Sequence, residues 1–216
     1  MIAKVITLMN TPQSVKVAKR CVESGAANGV NVEYFKAITP KNVEQLVLDH
    51  EIDTRSFREK YSRYKNALSA FMSHYSLWLE CFHRQEDYLI LEHDAVIIDD
   101  IPTFLRGDIV NLGKPSYGKF DIPKKLGEGR LTSKPFLPGA HGYYITPKGA
   151  KDLIVEAKRM AKPTDLFIRR EKFEVTEYYP WPVEARDTFT TIQREDGIQA
   201  KHNFLIKGKM DIINVR

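Results

Sequence analysis

The sequence contains little cysteine and no long apolar run, and each absence excludes whole classes of protein. Its two cysteines, Cys21 and Cys81, lie far apart, so they form neither a disulfide framework nor the close pairs of a zinc site. No stretch approaches the roughly 18 apolar residues of a membrane-spanning helix. Residues 1–9 are too short and too poorly flanked for a signal peptide and are typical of a first strand. We therefore expect a cytoplasmic protein with reduced thiols that contacts a membrane, if at all, only peripherally.

Internal repeats and low-complexity tracts are also missing from the sequence. With 216 residues, of which 43% are hydrophobic and 28% charged, the chain has the composition of a globular protein. This length suits one sizeable core and is short for two. We therefore expect a single domain over residues 1–216. An irregular excursion is expected at 113–135, where glycine, proline and lysine follow no regular period.

The chain carries a modest excess of positive charge, with 33 Lys and Arg against 28 Asp and Glu and a net charge of +5. Sugar nucleotides, acidic glycans, nucleic acids and lipid surfaces are all anionic partners, although a charge of this size also serves solubility alone. In the excursion, basic residues are interleaved with Tyr117 and Phe120. This pattern suits a loop that closes over a sugar nucleotide, a loop that follows a phosphate backbone, or a merely solvated loop.

Alternating strand and helix patterns predict an α/β fold. An apolar strand at 5–8 is followed by Thr11-Pro12, which begin a helix ending near Gly25, and by a second strand at 32–35. Such a unit implies a parallel sheet with helices packed on it. The strongest helical pattern spans 56–82. Further strands are predicted at 88–91, 95–98, 109–112 and 142–145, and further helices from 147 to about 162 and at 164–165. We expect a mostly parallel central sheet flanked by helices.

An acidic cluster, Glu92-His93-Asp94, directly follows the apolar run at 88–91. In open α/β sheets, ligands gather beyond the carboxyl ends of the strands. Glu92 and Asp94 are two residues apart and so can point the same way. Such a pair suits Mg²⁺ or Mn²⁺, which leave room for substrate phosphates. The imidazole of His93 favours Mn²⁺ over Mg²⁺. The same spacing also occurs in solvated turns and at helix starts, so it does not establish a metal site alone.

Several segments resemble glycosyltransferase family 25, which includes lipooligosaccharide and collagen galactosyltransferases. Met72-Ser73-His74 with Trp78 is similar to the family's Leu-Ser-His-x-x-x-Trp helix, and residues 91–94 are similar to its Leu-Glu-Asp-Asp strand end. Other matching segments follow in the family's order, at 5–8, 139–143, 147–150, 163–165 and 190–192. The chain departs from the family at His93, which replaces the middle acid, and at 9–12, which replace an aspartate followed by arginines.

The resemblance implies a GT-A-like fold and metal-dependent transfer of a hexose from a nucleotide sugar, such as a UDP-hexose, with inversion. A divalent ion neutralises charge on the leaving diphosphate, and a carboxylate on the opposite face takes the acceptor's proton. It implies Asp94 as the main ligand of Mn²⁺ or Mg²⁺, Glu92 as a supporting ligand, and Asp165 as the catalytic base. Contacts to the substrates are expected from Thr7, Asn10, His74, His93, His141 and Gly142.

Several of these residues also have ordinary structural interpretations. Asp165 suits the first turn of a helix through the helix dipole. A histidine beside a strand, such as His141, is as often a satisfied structural residue as a ligand. His74 and Trp78 lie on the apolar face of one helix, which is typical of a core. From that position His74 could still orient the acidic cluster from behind.

The sequence leaves the acceptor open. A lipooligosaccharide-like glycan is the first expectation. Transfer to a hydroxylated base of DNA is the second, and an enzyme acting on a base must extrude it from the duplex. A non-catalytic protein that binds a sugar nucleotide or nucleic acid is the third. It is considered because the acidic cluster and residues 9–12 depart from the family pattern.

Overall fold

The computed structural model describes residues 1–57, 62–186, 189–193, 211–213 and 215. Strands and helices alternate along the first half of the chain, and short strands dominate the second half. In chain order the elements are β1 (Ile2–Thr7), α1 (Pro12–Ala27), β2 (Val32–Lys36), α2 (Val43–Asp49), α3 (Tyr64–Arg84), β3 (Tyr88–Glu92), β4 (Ala95–Ile97), β5 (Ile109–Asn111), β6 (Gly127–Arg130), β7 (Gly142–Ile145), α4 (Pro147–Ala157), α5 (Thr164–Phe167), β8 (Val175–Tyr179), β9 (Val183–Ala185), β10 (Phe189–Thr190) and β11 (Asp211–Ile212).

The central sheet has seven strands in the order β2-β1-β3-β7-β5-β8-β6. The pairs β1–β2, β1–β3 and β5–β8 are parallel, whereas β3–β7, β5–β7 and β6–β8 are antiparallel. The α/β class is therefore confirmed, the sheet is mixed, and the expectation of a mostly parallel sheet is not confirmed. Strand β7 lies between β3 and β5 and runs antiparallel to both, and β6 runs antiparallel to β8 at the edge of the sheet.

The strand before the acidic cluster is buried on both faces, as the apolar run predicted. Tyr88 and Ile90 of β3 belong to the core that also contains α3 and α4. Leu89 and Leu91 belong to a second core, on the α1 side of the sheet. The end of β3 is thus fixed from both sides before the chain reaches the acidic cluster.

Helix α1 begins at Pro12 as predicted but continues past Gly25 to Ala27. Gly25 does not end this helix, because it lies in the helical interior and is buried there. A Cβ at position 25 would come within 2.5 Å of the Val32 side chain at the start of β2. Close packing between α1 and β2 therefore accounts for the glycine.

Helix α3 is the longest helix in the described residues and begins at Tyr64, later than the predicted start at 56. Phe71, His74 and Trp78 are all buried on it. The rings of Phe71 and Trp78 lie 5.4 and 5.8 Å from the ring of Phe167, which anchors the short helix α5 against α3. One helix thus supports both β3, which leads into the acidic cluster, and α5, which carries Asp165.

The excursion at 113–135 is mostly irregular, as expected, but contains the unpredicted strand β6. Its return towards β7 is anchored by Glu177 of β8, whose side chain is 1% exposed. The Glu177 carboxylate accepts hydrogen bonds from the backbone N–H groups of Thr132 and Ser133 at 2.6 and 2.9 Å, and from their hydroxyls at 3.0 and 2.6 Å. The indole of Trp181 donates to it at 3.4 Å.

Within the described residues, no helix combines the length and the apolar character that crossing a membrane requires.

Candidate active site

A cleft lies at the carboxyl ends of β1, β2 and β3. Strand β2 lies on one side of β1 and β3 on the other, so the chain changes direction across the sheet at this point. Ligands of open α/β sheets bind at such switch points. The cleft is lined by Leu8, Ile38, Ser73, His74, Glu92 and His93, among other residues.

A chain of hydrogen bonds orients Glu92 from behind. The indole N–H of Trp78 donates to the Tyr143 hydroxyl at 2.7 Å, and that hydroxyl lies 3.0 Å from Nδ1 of His74. Because indole is only a donor, the tyrosine proton is free to be donated to Nδ1. The remaining His74 proton is then on Nε2, which lies 3.1 Å from Oε1 of Glu92. His74, 1% exposed, therefore positions the cluster from behind, while its predicted contact with substrate stays a prediction.

The two carboxylates of the cluster differ in their electrostatics. Burial raises the pKa of Glu92, but the hydrogen bond from His74 and the electrostatic effect of the nearby imidazoles of His74, His141 and His93 outweigh it, so the pKa falls below its ordinary value. Burial raises the pKa of Asp94, and the charge of Glu92 raises it further. Glu92 is therefore the carboxylate of the pair that ionises more readily. An added positive charge would stabilise the ionised form of Asp94 more than that of Glu92.

Asp94 is buried in the turn between β3 and β4, and its backbone is held more firmly than its side chain. The Asp94 carbonyl accepts the Arg186 N–H at 2.9 Å and an Arg20 guanidinium N–H at 3.3 Å. Its Oδ1 is buried without a hydrogen-bond partner among the described residues. Such an atom is costly unless a ligand satisfies it. A hard divalent cation, which takes carboxylate oxygens, fits this atom.

No group of three or more His, Cys, Asp and Glu side chains in the described part of the chain is arranged to hold a metal ion. The candidate ligands here are the two carboxylates, Glu92 and Asp94. Mg²⁺ usually binds through one or two carboxylates together with substrate phosphates and water. The donor set therefore suits an ion that arrives with a phosphorylated ligand.

His93, one of the two departures from the family pattern, connects the acidic cluster to α1. Its Nδ1 lies 2.7 Å from the Ser14 hydroxyl, which also accepts the Leu8 N–H at 3.0 Å. The His93 ring lies 5.3 Å from the ring of Phe189. His93 thus joins the ends of β1 and β3 through Ser14, and it also lines the cleft. Its predicted contact with substrate stays a prediction.

His141 is buried beside the acidic cluster, and its backbone carbonyl accepts the Glu92 N–H at 3.2 Å. Burial lowers the pKa of His141, although the charges of Asp94 and Glu92 oppose this effect. Its Nε2 has no hydrogen-bond partner among the residues that the structure describes. A Cβ at Gly113 would lie 2.5 Å from that nitrogen, and a Cβ at Gly139 would lie 2.6 Å from Nδ1. Two glycines therefore make the space for this ring.

The neighbouring Gly142 has a packing reason of its own. A Cβ at this position would lie 2.7 Å from the Val183 side chain of β9. Its backbone carbonyl accepts the Leu112 N–H at 3.1 Å. Close packing accounts for the glycine, and the predicted contact between Gly142 and substrate is not tested by these neighbours.

Asp165 lies at the start of α5, where Tyr117 of the excursion donates its phenolic proton to Oδ2. The Leu166 N–H donates to Oδ1 at 2.9 Å. Burial raises the pKa of Asp165, the two hydrogen bonds lower it, and the charge of Glu92 raises it, with a net increase. Lys134, which is 4.3 Å from the centre of the Tyr117 ring, donates to the Tyr117 carbonyl. The structure thus brings the excursion against the predicted base.

Thr7 and Asn10 occupy the end of β1 and the loop beyond it. Thr7 is buried, and its hydroxyl donates to the Val5 carbonyl at 3.1 Å, while its neighbours Ile6 and Leu8 line the cleft. Asn10 is exposed in the turn before α1. Neither position contradicts the predicted contacts with substrate, and neither establishes them.

Four residues that hold the predicted side chains in place were not expected to act in the site. Ser14 and Tyr143 each contact a site histidine from a distant part of the sequence. Tyr117 and Lys134 come from the excursion, where the mixture of basic and aromatic residues was the only available signal. These contacts depend on tertiary structure, so residue spacing could not have revealed them.

The family model described as "Glycosyltransferase family 25 (LPS biosynthesis protein)" matches residues 5–112. This range contains α3, β3, Glu92 and Asp94, and it ends just before the excursion. His141 and Asp165 lie beyond it. No curated protein matches the chain.

Proposed function

Since the chain belongs to glycosyltransferase family 25, we propose that it transfers a hexose from a nucleotide sugar to an acceptor hydroxyl, with inversion. The proposal includes a UDP-linked donor, a lipooligosaccharide-like glycan acceptor and a single cytoplasmic GT-A-like domain. The observation that carries it is the buried Asp94 Oδ1 just beyond β3, which has no hydrogen-bond partner among the described residues. A site that accepts a cation and a diphosphate would satisfy this atom.

We assign Asp94 and Glu92 as the residues that hold Mn²⁺ or Mg²⁺. When bound, the ion neutralises the negative charge that develops on the leaving diphosphate. Glu92 is prepared for this role, because the hydrogen bond from His74 and the surrounding histidines keep its pKa low. The buried chain from Trp78 through Tyr143 to His74 fixes the direction of the carboxylate before any ligand arrives.

Asp165 is the proposed base. As the acceptor oxygen bonds to the anomeric carbon, the bond from that carbon to the diphosphate oxygen breaks, and the acceptor proton passes to Asp165. The contacts from Tyr117 and Leu166 fix the side chain but use one lone pair on each oxygen, so a further lone pair remains for the proton. The raised pKa of Asp165 makes it a stronger base than an exposed aspartate, provided that it is ionised.

The donor is proposed to bind in the cleft at the ends of β1 to β3, where His93 lines the wall. Contacts with the donor or acceptor are proposed for Thr7, Asn10, His74, His93, His141 and Gly142. Among these, the exposed Asn10 and the cleft residue His93 are the most accessible. The buried His141 would act through its Nε2, which has no partner among the described residues and lies beside the acidic cluster.

The direct test is to measure the release of nucleoside diphosphate from a panel of nucleotide sugars, with Mn²⁺ and a mixture of glycan acceptors. Asp94→Asn and Asp165→Asn should each reduce turnover by about a thousandfold, because each removes a charge that acts on the reacting groups. Asp99→Asn is the matched control, since Asp99 is an exposed aspartate shortly after the acidic turn. It should keep wild-type turnover.

Each outcome decides one part of the proposal. Wild-type protein that turns over no donor, but binds UDP-sugars at equilibrium, would show a non-catalytic binder. Full metal-dependent activity in Asp94→Asn would remove Asp94 from the metal site, and full activity in Asp165→Asn would remove the base. The anomeric configuration of the product, read by NMR, tests inversion separately.

A further inference from the structure

The loop formed by residues 119–126, hereafter the 119–126 loop, exposes two large apolar side chains. Ile122 is 64% exposed and Leu126 is 78% exposed. Single exposed aliphatic residues are ordinary on protein surfaces. Here two of them lie four residues apart in one short irregular loop, and the proposed chemistry uses neither.

The same loop carries three exposed lysines, Lys119, Lys124 and Lys125. None of them forms an ion pair within the described residues. Asp121 is the one acid in this stretch of sequence. The loop therefore presents apolar side chains together with positive charge that its own surroundings do not neutralise.

The loop is held at its base and emerges on the same edge of the sheet as the cleft. The Asp121 N–H donates to the Ser133 carbonyl at 3.1 Å, and Ser133 is fixed in turn by Glu177. At the other end, Gly127 begins β6 opposite Tyr179, the last residue of β8. Because β8 runs parallel to β5, and β5 runs in the same direction as β3, Tyr179 marks the carboxyl edge of the sheet.

We propose that the 119–126 loop docks the protein onto a lipid surface with anionic headgroups. Ile122 and Leu126 enter the boundary between headgroups and acyl chains, and the lysines meet the headgroup phosphates. The apolar residues favour a lipid surface over a nucleic acid, because phosphate-backbone binding uses cations and gains little from exposed aliphatic chains. This places the cleft edge of the sheet towards the lipid.

Leu48 shows that exposure alone does not make such a surface. It is 71% exposed on α2, close to the exposed Ile122 value, but its neighbours in sequence include Asp49 and Glu51. An anionic surface would repel this region. Leu48→Asp is therefore a matched control for the loss of an exposed aliphatic residue elsewhere.

The experiment is co-sedimentation of the full-length chain with vesicles of phosphatidylcholine, with and without about 30% phosphatidylglycerol, a composition chosen for its surface charge. Wild type and Leu48→Asp should sediment with the anionic vesicles only. Ile122→Asp/Leu126→Asp should bind at least about tenfold more weakly, because apolar insertion is lost. Lys119→Gln/Lys124→Gln/Lys125→Gln should also lose binding, by about fivefold per lysine.

Three results would overturn the proposal. The first is wild-type protein that does not distinguish anionic from neutral vesicles. The second is full vesicle binding by the Ile122/Leu126 variant with duplex DNA as an efficient competitor, which would indicate a general polyanion site. The third is self-association through this loop, seen by light scattering as a dimer that the Ile122/Leu126 variant no longer forms.

Thermal unfolding of each variant checks that these exposed changes leave the fold intact. Vesicle binding requires no sugar transfer, so its failure is distinguishable from failure of the proposed enzymatic function.

Discussion

Asp94 and Glu177 are both buried carboxylates, and their surroundings are opposite. Glu177, 1% exposed, accepts hydrogen bonds from Thr132, Ser133 and Trp181. Asp94, 8% exposed, has an Oδ1 without a partner among the described residues. Burying a carboxylate is costly; protein donors satisfy both oxygens of Glu177, whereas within the described residues none reaches Oδ1 of Asp94. We infer that Glu177 serves the fold, whereas Asp94 remains to be satisfied by a ligand.

Removing the charge at Glu177 should produce the largest loss of stability. Glu177→Gln replaces one acceptor oxygen by an N–H₂ group that opposes the buried donors of residues 132 and 133. We expect the free energy of unfolding to fall by about 4 kcal/mol in urea denaturation. Glu184→Gln is the control, because Glu184 pairs with Lys114 and Arg186 nearer the surface. It should cost about 1 kcal/mol or less. Equal losses in both variants would contradict the structural role of Glu177.

The hydrogen bonds that run from Trp78 through Tyr143 to His74, behind Glu92, should show the next largest effect on stability when they are broken. Tyr143→Phe leaves the Trp78 indole N–H and the His74 Nδ1 without their shared partner in a fully buried position. We expect a loss of about 3 kcal/mol in unfolding free energy, together with reduced transferase activity. Tyr144→Phe is a close control. It removes a phenol that donates to Asp87 at 2.6 Å, and it should cost about 1 kcal/mol without loss of activity. If Tyr144→Phe reduced activity as strongly as Tyr143→Phe, the specific role of the chain would be excluded.

Asp94→Asn should behave in the opposite way to Glu177→Gln. It removes a buried charge whose Oδ1 has no donor among the described residues, so the ligand-free protein should be as stable as wild type or more stable, by about 1 kcal/mol. UDP with Mn²⁺ should raise the melting temperature of wild type and of Asp99→Asn, but not that of Asp94→Asn. A clear destabilisation of ligand-free Asp94→Asn would show that Asp94 serves the fold, as Glu177 does.

The smallest expected effect concerns Asp165, the second carboxylate of the site. Its hydrogen bond from Tyr117 lowers its pKa, against the larger effect of burial, which raises it. Tyr117→Phe removes that bond, so the pKa should rise further and the base should be ionised only at higher pH. We expect the acidic limb of the kcat/KM profile to move to higher pH, with recovery at alkaline pH. An unchanged limb would exclude Asp165 as the titrating base or Tyr117 as its partner.

The sequence indicated the elements that depend on local pattern. The alternation of strand and helix, the doubly buried β3 and the acidic cluster at its end follow from apolar runs and residue type. Resemblance across α3 and β3 predicted the family, which the match over 5–112 confirmed. The antiparallel position of β7 was not predictable in the same way, because strand order depends on pairing between distant segments.

The supporting contacts of the site were also beyond local pattern. Tyr117 reaches Asp165 from the excursion, and Tyr143 reaches His74 from another strand. Strand β8 and its Glu177 were not anticipated, although they hold the end of the excursion. Residue type identified the carboxylates, but only the folded chain distinguishes a satisfied carboxylate from an unsatisfied one.

The glycines around His141 have a consequence for how related sequences vary. A side chain at position 113 or 139 would occupy the space of the imidazole, and Gly139 also has a φ of +120°, which other residues rarely adopt. Positions 113, 139 and 141 should therefore change together. A homologue with alanine or a larger residue at position 113 should carry a smaller residue at 141. Covariation of this kind would appear in an alignment even though position 113 lies far from 139 and 141 in the sequence.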